Sequence, residues 1–304
     1  MDQPLADPSC IALYFVSKLA SEYVKVVLSG EGADELFGGY NVYSEPGSSR
    51  YERLPFGLRH AIAKAAGKLP AKRGVNFLVR KGTRLEDRFI GNAYIFTPDE
   101  RKALLKIPTD APDPTEITKP FYDKVQDADP VTKMQYLDIH LWMTGDILLK
   151  ADKMSMAHSL ELRVPFLDRE VMAVAAQIPD RFRVTHRVPT DKDTPYTTKY
   201  AMRLAAKRDT PKETAATSAK KKLGFPVPIR VWLKEDGCYE TVKTAFTSPA
   251  AEEFFVTEKL VKLLDDHRSG KADNSRRIWT VYMFLVWYKV YFEENAGIGA
   301  QQAG

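Results

Sequence analysis

The sequence predicts an α/β chain, mostly α-helical, that holds the last strand or strands of an open parallel sheet. Three observations carry this. An apolar run over 23–29 passes through a glycine-rich turn directly into a helix, the unit from which parallel sheets are assembled. Helical periodicity then recurs at 56–67, 98–105, 130–161, 168–177, 196–207, 226–235, 238–247, 257–267 and 277–293. Outside 23–29 there is little strand signal.

Taken in order, 11–20 reads as a helix through the spacing of Ile11, Leu13, Tyr14, Val16 and Leu19. Residues 23–29 read as a short strand buried on both faces. A lone strand cannot make a parallel sheet, so the chain is expected to begin partway through one, with Met1 an interior methionine of a longer protein. Clusters of Pro, Gly and Asp at 44–50, 108–114, 186–195 and 209–216 separate the helices. Pro165 is expected to stop the helix before it, and Asp168 to cap the next. Arg163 and Glu161 are expected to pair within the fold. The expected division is 1–45 as the end of a nucleotide-binding sheet, 46–295 as mainly helical, and 296–304 as a disordered tail. No internal repeat is evident.

Composition narrows the function. The 304 residues are 44% hydrophobic and 28% charged, as in an ordinary globular protein. The net charge of +5 is spread along the chain apart from Lys220-Lys221-Lys222, which argues against a nucleic-acid partner. Cys10 and Cys238 are far apart, so neither a disulfide framework nor a zinc site is expected, and a reducing cytoplasm is the default. Met1-Asp2-Gln3-Pro4 is no signal peptide. The apolar window 278–292 falls short of the ~20 residues a spanning helix needs and contains Lys289. It is expected to be a core helix packed between others, with no membrane partner.

The chemistry gathers where 23–29 ends. Ser29-Gly30-Glu31-Gly32 lets backbone N–H groups approach an anion closely, and the helix that follows adds a favourable dipole. Glu31 and Asp34 stand three residues apart across the start of that helix, so their carboxylates can face one site. Beside a bound triphosphate, one can ligate Mg²⁺ while the other holds or deprotonates an incoming amine. Acids in a first helical turn also merely complement the dipole, by about 0.3–1 kcal/mol each. His60, His140, His158, His186 and His267 have no metal spacing, and Ser29 and Ser155 have no triad partners, which leaves a serine hydrolase without support.

Three segments bear a resemblance. Leu28 to Tyr40 (LSGEGADELFGGY), Lys150 to Asp168 (KADKMSMAHSLELRVPFLD) and Lys221 to Leu233 (KKLGFPVPIRVWL) resemble signatures of the asparagine synthetases of the glutamine-hydrolysing type. The resemblance implies a Rossmann-like adenine-nucleotide α-hydrolase fold, also called an N-type ATP pyrophosphatase. It also implies a ligase that converts aspartate, ATP and ammonia into asparagine, AMP and pyrophosphate through a β-aspartyl-AMP. On that template Ser29, Gly30 and Gly32 bind the nucleotide and Asp34 ligates Mg²⁺. Glu31 governs formation of the adenylate and its reaction with ammonia. Lys222 holds the departing pyrophosphate, with Lys221 in reserve. A cation has a clear task there, worth about 4 kcal/mol at ~4 Å and an effective dielectric near 20. Asp146, Lys150 and Asp152 lie toward the nucleotide in the resemblance, as ligands or as a satisfied polar network. A homodimer of the full-length protein and a cytoplasmic location are also implied.

Two features of the family do not occur in these residues. There is no N-terminal glutaminase cysteine, and no Ser-Gly-Gly phosphate loop anywhere in the 304 residues. The expectation is therefore a C-terminal synthetase fragment, its glutaminase domain absent, inactive on its own. Two alternatives stand beside it: a sister synthetase of the same fold, β-lactam-forming or peptide-modifying, or the non-catalytic product of a split gene.

Overall fold

The computed structural model describes residues 1–70, 72–107, 109–185, 198–216, 224–225 and 227–294. The expected tail at 296–304, the punctuation at 186–195 and the Lys221-Lys222 pair lie outside the described residues.

Helix α1 (Ser9–Ser21) leads into strand β1 (Val26–Leu28), and the chain then turns into α2 (Ala33–Phe37). The strand is not alone. Strand β2 (Glu161–Arg163) pairs with it in parallel, Val26 opposite Glu161 and Leu28 opposite Arg163. The amides of Glu161 and Ser29 continue the ladder to the carbonyls of Lys25 (2.9 Å) and Arg163 (2.8 Å). The helix expected over 130–161 takes in the start of β2, whose alternation at Leu160-Glu161-Leu162-Arg163-Val164 is too short to stand out from the helical repeat before it. The helix in fact ends at Met156, and Ser159 adopts a left-handed φ of 53° that redirects the chain into the strand.

The expectation that β1 is buried on both faces also fails. Val26 is 42% and Leu28 74% exposed, and Phe15 (62%) and Leu19 (59%) of α1 are exposed too. Among the described residues the sheet has two strands, and no further layer covers that face.

The rest is helical. The stretch expected as one helix over 130–161 is three segments: Pro130–Leu137, a wide-turned π-helix at Asp138–Ile147, and Leu148–Met156. Arg73–Gly82, Pro114–Asp123 and Pro249–Phe254 are helices the periodicity did not reveal. The first carries a glycine at each end region and the second holds Pro120, both of which dilute the pattern. Asp168 does cap Arg169–Gln177, its Oδ1 accepting the Glu170 amide at 2.8 Å, and Arg163 does pair with Glu161 at 2.8 Å.

The largest core lies in the C-terminal helices, where Phe246, Ala251, Leu260, Leu264 and Ile278 are completely buried. The apolar window contributes Ile278, Val281 and Leu285, one face of helix Ser275–Tyr288, while Val290, Tyr291 and Phe292 are exposed. As expected, that helix packs between others, meeting Ile229–Trp232, Asp236–Phe246, Pro249–Phe254 and Thr257–Arg268. Two smaller clusters surround α2: Tyr43, Met134 and Leu137 form one, and Leu36, Phe37 and Ala175 the other.

Candidate active site

The site is the turn between β1 and α2. Ser29 remains tied to β2 through its amide, and its Oγ accepts the Glu31 N–H at 3.3 Å. Gly30 is open, with no atom within 4 Å of where a Cβ would stand. Gly32 is fixed twice over: its φ is +88°, and a Cβ would lie 2.4 Å from Leu167 Cδ2. The pair Gly38-Gly39 ends the helix. Gly38 takes φ +73°, and a Cβ on Gly39 would fall 1.7 Å from Asp34 Oδ1. The Asp34 carboxylate therefore folds back over the glycines, where Lys199 Nζ meets its Oδ1 at 3.1 Å. Helix α2 has only five residues, so its dipole contributes less to anion binding than the sequence led one to expect.

Glu35 and Asp138 anchor this turn from beneath. Glu35 is 1% exposed and accepts from Tyr40 Oη at 2.6 Å, while its carbonyl accepts from Gln135 Nε2 at 2.5 Å. Burial raises its carboxyl above the ordinary range, against the pull of the Tyr40 bond. Asp138 accepts from Tyr43 Oη (2.6 Å) and Asn92 Nδ2 (2.7 Å), and burial pushes it up to about 7.

On the other side of the turn, acids crowd a single lysine. Lys150 and Asp7 form an ion pair at 2.6 Å with Lys150 only 7% exposed. Burial raises the Glu31 carboxyl; Lys150 opposes that, and Glu35, Asp34 and Asp7 add to it. Burial first, and then Asp7, raise Asp146 to about 7 against Lys150 and Arg276. Burial likewise pushes the Cys10 thiol up to about 12, so it is no nucleophile here. A cavity of about 470 Å³ adjoins this cluster, with Asp7 and Asp146 in its wall.

Ser29, Gly30, Glu31, Gly32 and Asp34 thus fall in one continuous turn, with Glu31 and Asp34 answering to different lysines. Lys222 and Lys221 lie outside the described residues; the neighbouring Gly224-Phe225 is exposed. Asp152 is exposed, whereas Asp146 and Lys150 are buried. Among the described residues no three His, Cys, Asp or Glu side chains form a metal-binding group. Sequence reading did not single out Asp7 or Lys199. Asp7 sits in the proline-bearing stretch before α1, and Lys199 carries no local signal, although its backbone holds a left-handed φ of 52°.

Residues 1–289 match the family described as asparagine synthase. The chain is 46% identical over 296 residues to asparagine synthetase [glutamine-hydrolyzing] 1 of Bacillus subtilis, covering 97% of this chain and 45% of that protein. It is 43% identical over 299 residues to a putative asparagine synthetase [glutamine-hydrolyzing] of Mycobacterium tuberculosis, covering 97% and 44%. It is 25% identical over 228 residues to amidase chry2 of Gibberella zeae, covering 69% and 33%. The chain spans a little under half the length of the two bacterial relatives. With the match running over nearly all of the chain and through the whole glycine turn, this chain belongs to the asparagine synthase family.

Proposed function

We propose that the chain is the C-terminal part of an ATP-dependent synthetase domain that amidates aspartate to asparagine. Residues 1–295 belong to that domain, 1–45 closing a Rossmann-like sheet of the N-type ATP pyrophosphatase kind and 46–295 supporting it. The observation that carries the reading is the Ser29–Gly32 turn, open at Gly30, which carries Glu31 and leads directly to Asp34. The aspartate side-chain carboxylate attacks the α-phosphorus of ATP, forming an O–P bond as pyrophosphate leaves. Ammonia then attacks the acyl carbon, AMP departs, and the proton lost by nitrogen passes to a carboxylate.

Backbone atoms of Ser29, Gly30 and Gly32 contact the nucleotide. Glu31 orients and deprotonates the ammonia, and its raised carboxyl is apt for that, since a base works best near the ambient pH. Asp34 is the residue suited to Mg²⁺, which keeps several waters and takes one or two carboxylates together with phosphate oxygens. Bound there, the ion would neutralise charge on the phosphates. Lys199, now on Asp34, is placed to release it to the metal and turn to a phosphate. Lys222 holds the pyrophosphate. Ammonia comes from glutamine through another part of the full-length protein, which is cytoplasmic and homodimeric. Among the described residues no helix is long and apolar enough to cross a membrane.

The test is a chimera in which these 304 residues replace the matching segment of the Bacillus relative. It should release pyrophosphate from Mg·ATP in an aspartate-dependent way and form asparagine with ammonium. The 304-residue chain alone, which contains no Ser-Gly-Gly, should do neither. A well-folded chimera without aspartate-dependent turnover would overturn the reading. A sister synthetase using another amine is favoured by one observation, the distant similarity to amidase chry2; it would show as turnover with an aspartate analogue in place of aspartate.

A further inference from the structure

The cavity beside Asp7 and Asp146 plays no part in the nucleotide turn. At about 470 Å³ it falls within the range of small-molecule sites, roughly 300–1,000 Å³. Its wall is mainly apolar, with Leu5, Ile90, Ile95, Ile117 and Leu141 among its lining. The π-helix Asp138–Ile147 forms one side and supplies Leu141, Trp142, Gly145 and Asp146; such widened helices recur at functional sites.

Asp146 breaks the apolarity. It is 7% exposed, it lines the cavity, and its Oδ2 is sealed from solvent with no hydrogen-bond partner among the described residues. The neighbouring acid is already satisfied, since Asp7 takes Lys150 Nζ at 2.6 Å and the Ser9 amide at 2.9 Å. Arg276 stands exposed at the rim. A buried carboxylate without a donor is costly, and native structures retain such groups where something else completes them.

We propose that this cavity binds a primary ammonium group carried on a short apolar body, with Asp146 as its counter-ion. An anionic ligand would meet two acids, Asp7 and Asp146, in the wall. A neutral hydrocarbon would leave Asp146 as it is. An ammonium brings three donors, of which the carboxylate needs one or two. Ammonium alone would leave most of the space empty, since a water-sized molecule takes only about 30 Å³ in the liquid. The apolar wall calls for carbon. The charge of Glu31 acts on Asp146, so the amine end of the ligand lies on the side of the cavity nearest Glu31. The binding does not rest on the amidation reading, whose nucleophile is ammonia.

The experiment is an NMR titration of the 304-residue chain with n-butylammonium chloride against sodium chloride at matched ionic strength, with n-butanol as the uncharged counterpart. Butylammonium should saturate at concentrations at least about tenfold below butanol, as expected for a charge-assisted hydrogen bond in a desolvated site. Asp146→Asn should bring the two ligands to parity. Ala93→Trp, a change at an exposed lining residue, should fill the mouth and weaken both, and keeps the idea testable should Asp146→Asn not fold. Equal binding of the two ligands by the natural chain, an Asp146→Asn variant that keeps the preference, or indifference to Ala93→Trp overturns the proposal. Neither ATP nor aspartate enters this measurement, so its failure would leave the amidation reading standing.

Discussion

The two ends of the chain are built to different standards of packing. In the C-terminal helices Phe246, Leu260, Leu264 and Ile278 have no exposed surface at all. At the N-terminal end Leu28, next to the turn that carries the chemistry, is 74% exposed, and Phe15 and Leu19 of the preceding helix are 62% and 59% exposed. An open sheet edge with apolar side chains is a liability unless another strand or layer covers it. The comparison teaches that stability and chemistry occupy separate regions here. The helical bundle has a core of its own, whereas the Ser29–Asp34 turn is positioned by a two-stranded ladder and a few buried polar contacts.

That separation can be attacked from both sides. The largest effect is expected from Leu264→Ala in the closed core, which should cost about 3–5 kcal/mol in a denaturant titration because the surroundings cannot collapse into the space. A cost under about 1 kcal/mol would contradict a tightly packed bundle. Next comes Asp7→Ala, which strips the ion-pair partner from a lysine 7% exposed. A loss of about 3 kcal/mol is expected, or somewhat less because Glu31 and Asp146 remain as partial counter-charges. Gly32→Ala should follow at about 2 kcal/mol, from a left-handed φ of +88° and a contact 2.4 Å from Leu167 Cδ2. Its effect should be local, seen as faster amide exchange around the turn with the C-terminal helices unchanged.

A pH series sharpens the comparison further. Asp138 is raised from 3.8 to about 7 in the folded state, so folding favours its protonated form. Its contribution is fully present below the unfolded value and declines as pH rises from about 4 to about 7. Asp138→Asn should therefore lose less stability than the natural chain across that interval, measured by thermal unfolding at matched ionic strength. Equal losses would place Asp138 in a solvated setting, and the reverse order would mean that its charged form is the one stabilised. Smallest of all is Leu28→Ser at the exposed strand, expected to fall within about 0.5 kcal/mol while raising solubility.

The legible parts of the molecule are those where chemistry is local. Strand, turn and Gly32 could be read because a left-handed residue and a close approach to Leu167 both demand glycine, and the cap at Asp168 because it acts on the next two residues. β2 was not legible, since a three-residue strand is specified by its partner β1 rather than by its own pattern. Nor was the π-helix, whose extra residue per turn shifts a helical repeat without abolishing it. Of the site, Glu31 and Asp34 were visible as a spacing. Lys150 was visible only through the family resemblance and Lys199 not at all, because both come to the turn from more than a hundred residues away.

The most direct measurement is Glu31→Gln in the chimera with the Bacillus relative, reading both the denaturation midpoint and aspartate-dependent pyrophosphate release. Removing a carboxylate whose charged form is disfavoured by burial should leave the midpoint unchanged or slightly higher, while the rate falls at least about a hundredfold. A rate that survives the substitution, or one that falls only as far as the protein unfolds, would contradict the assignment of the turn as the reacting centre.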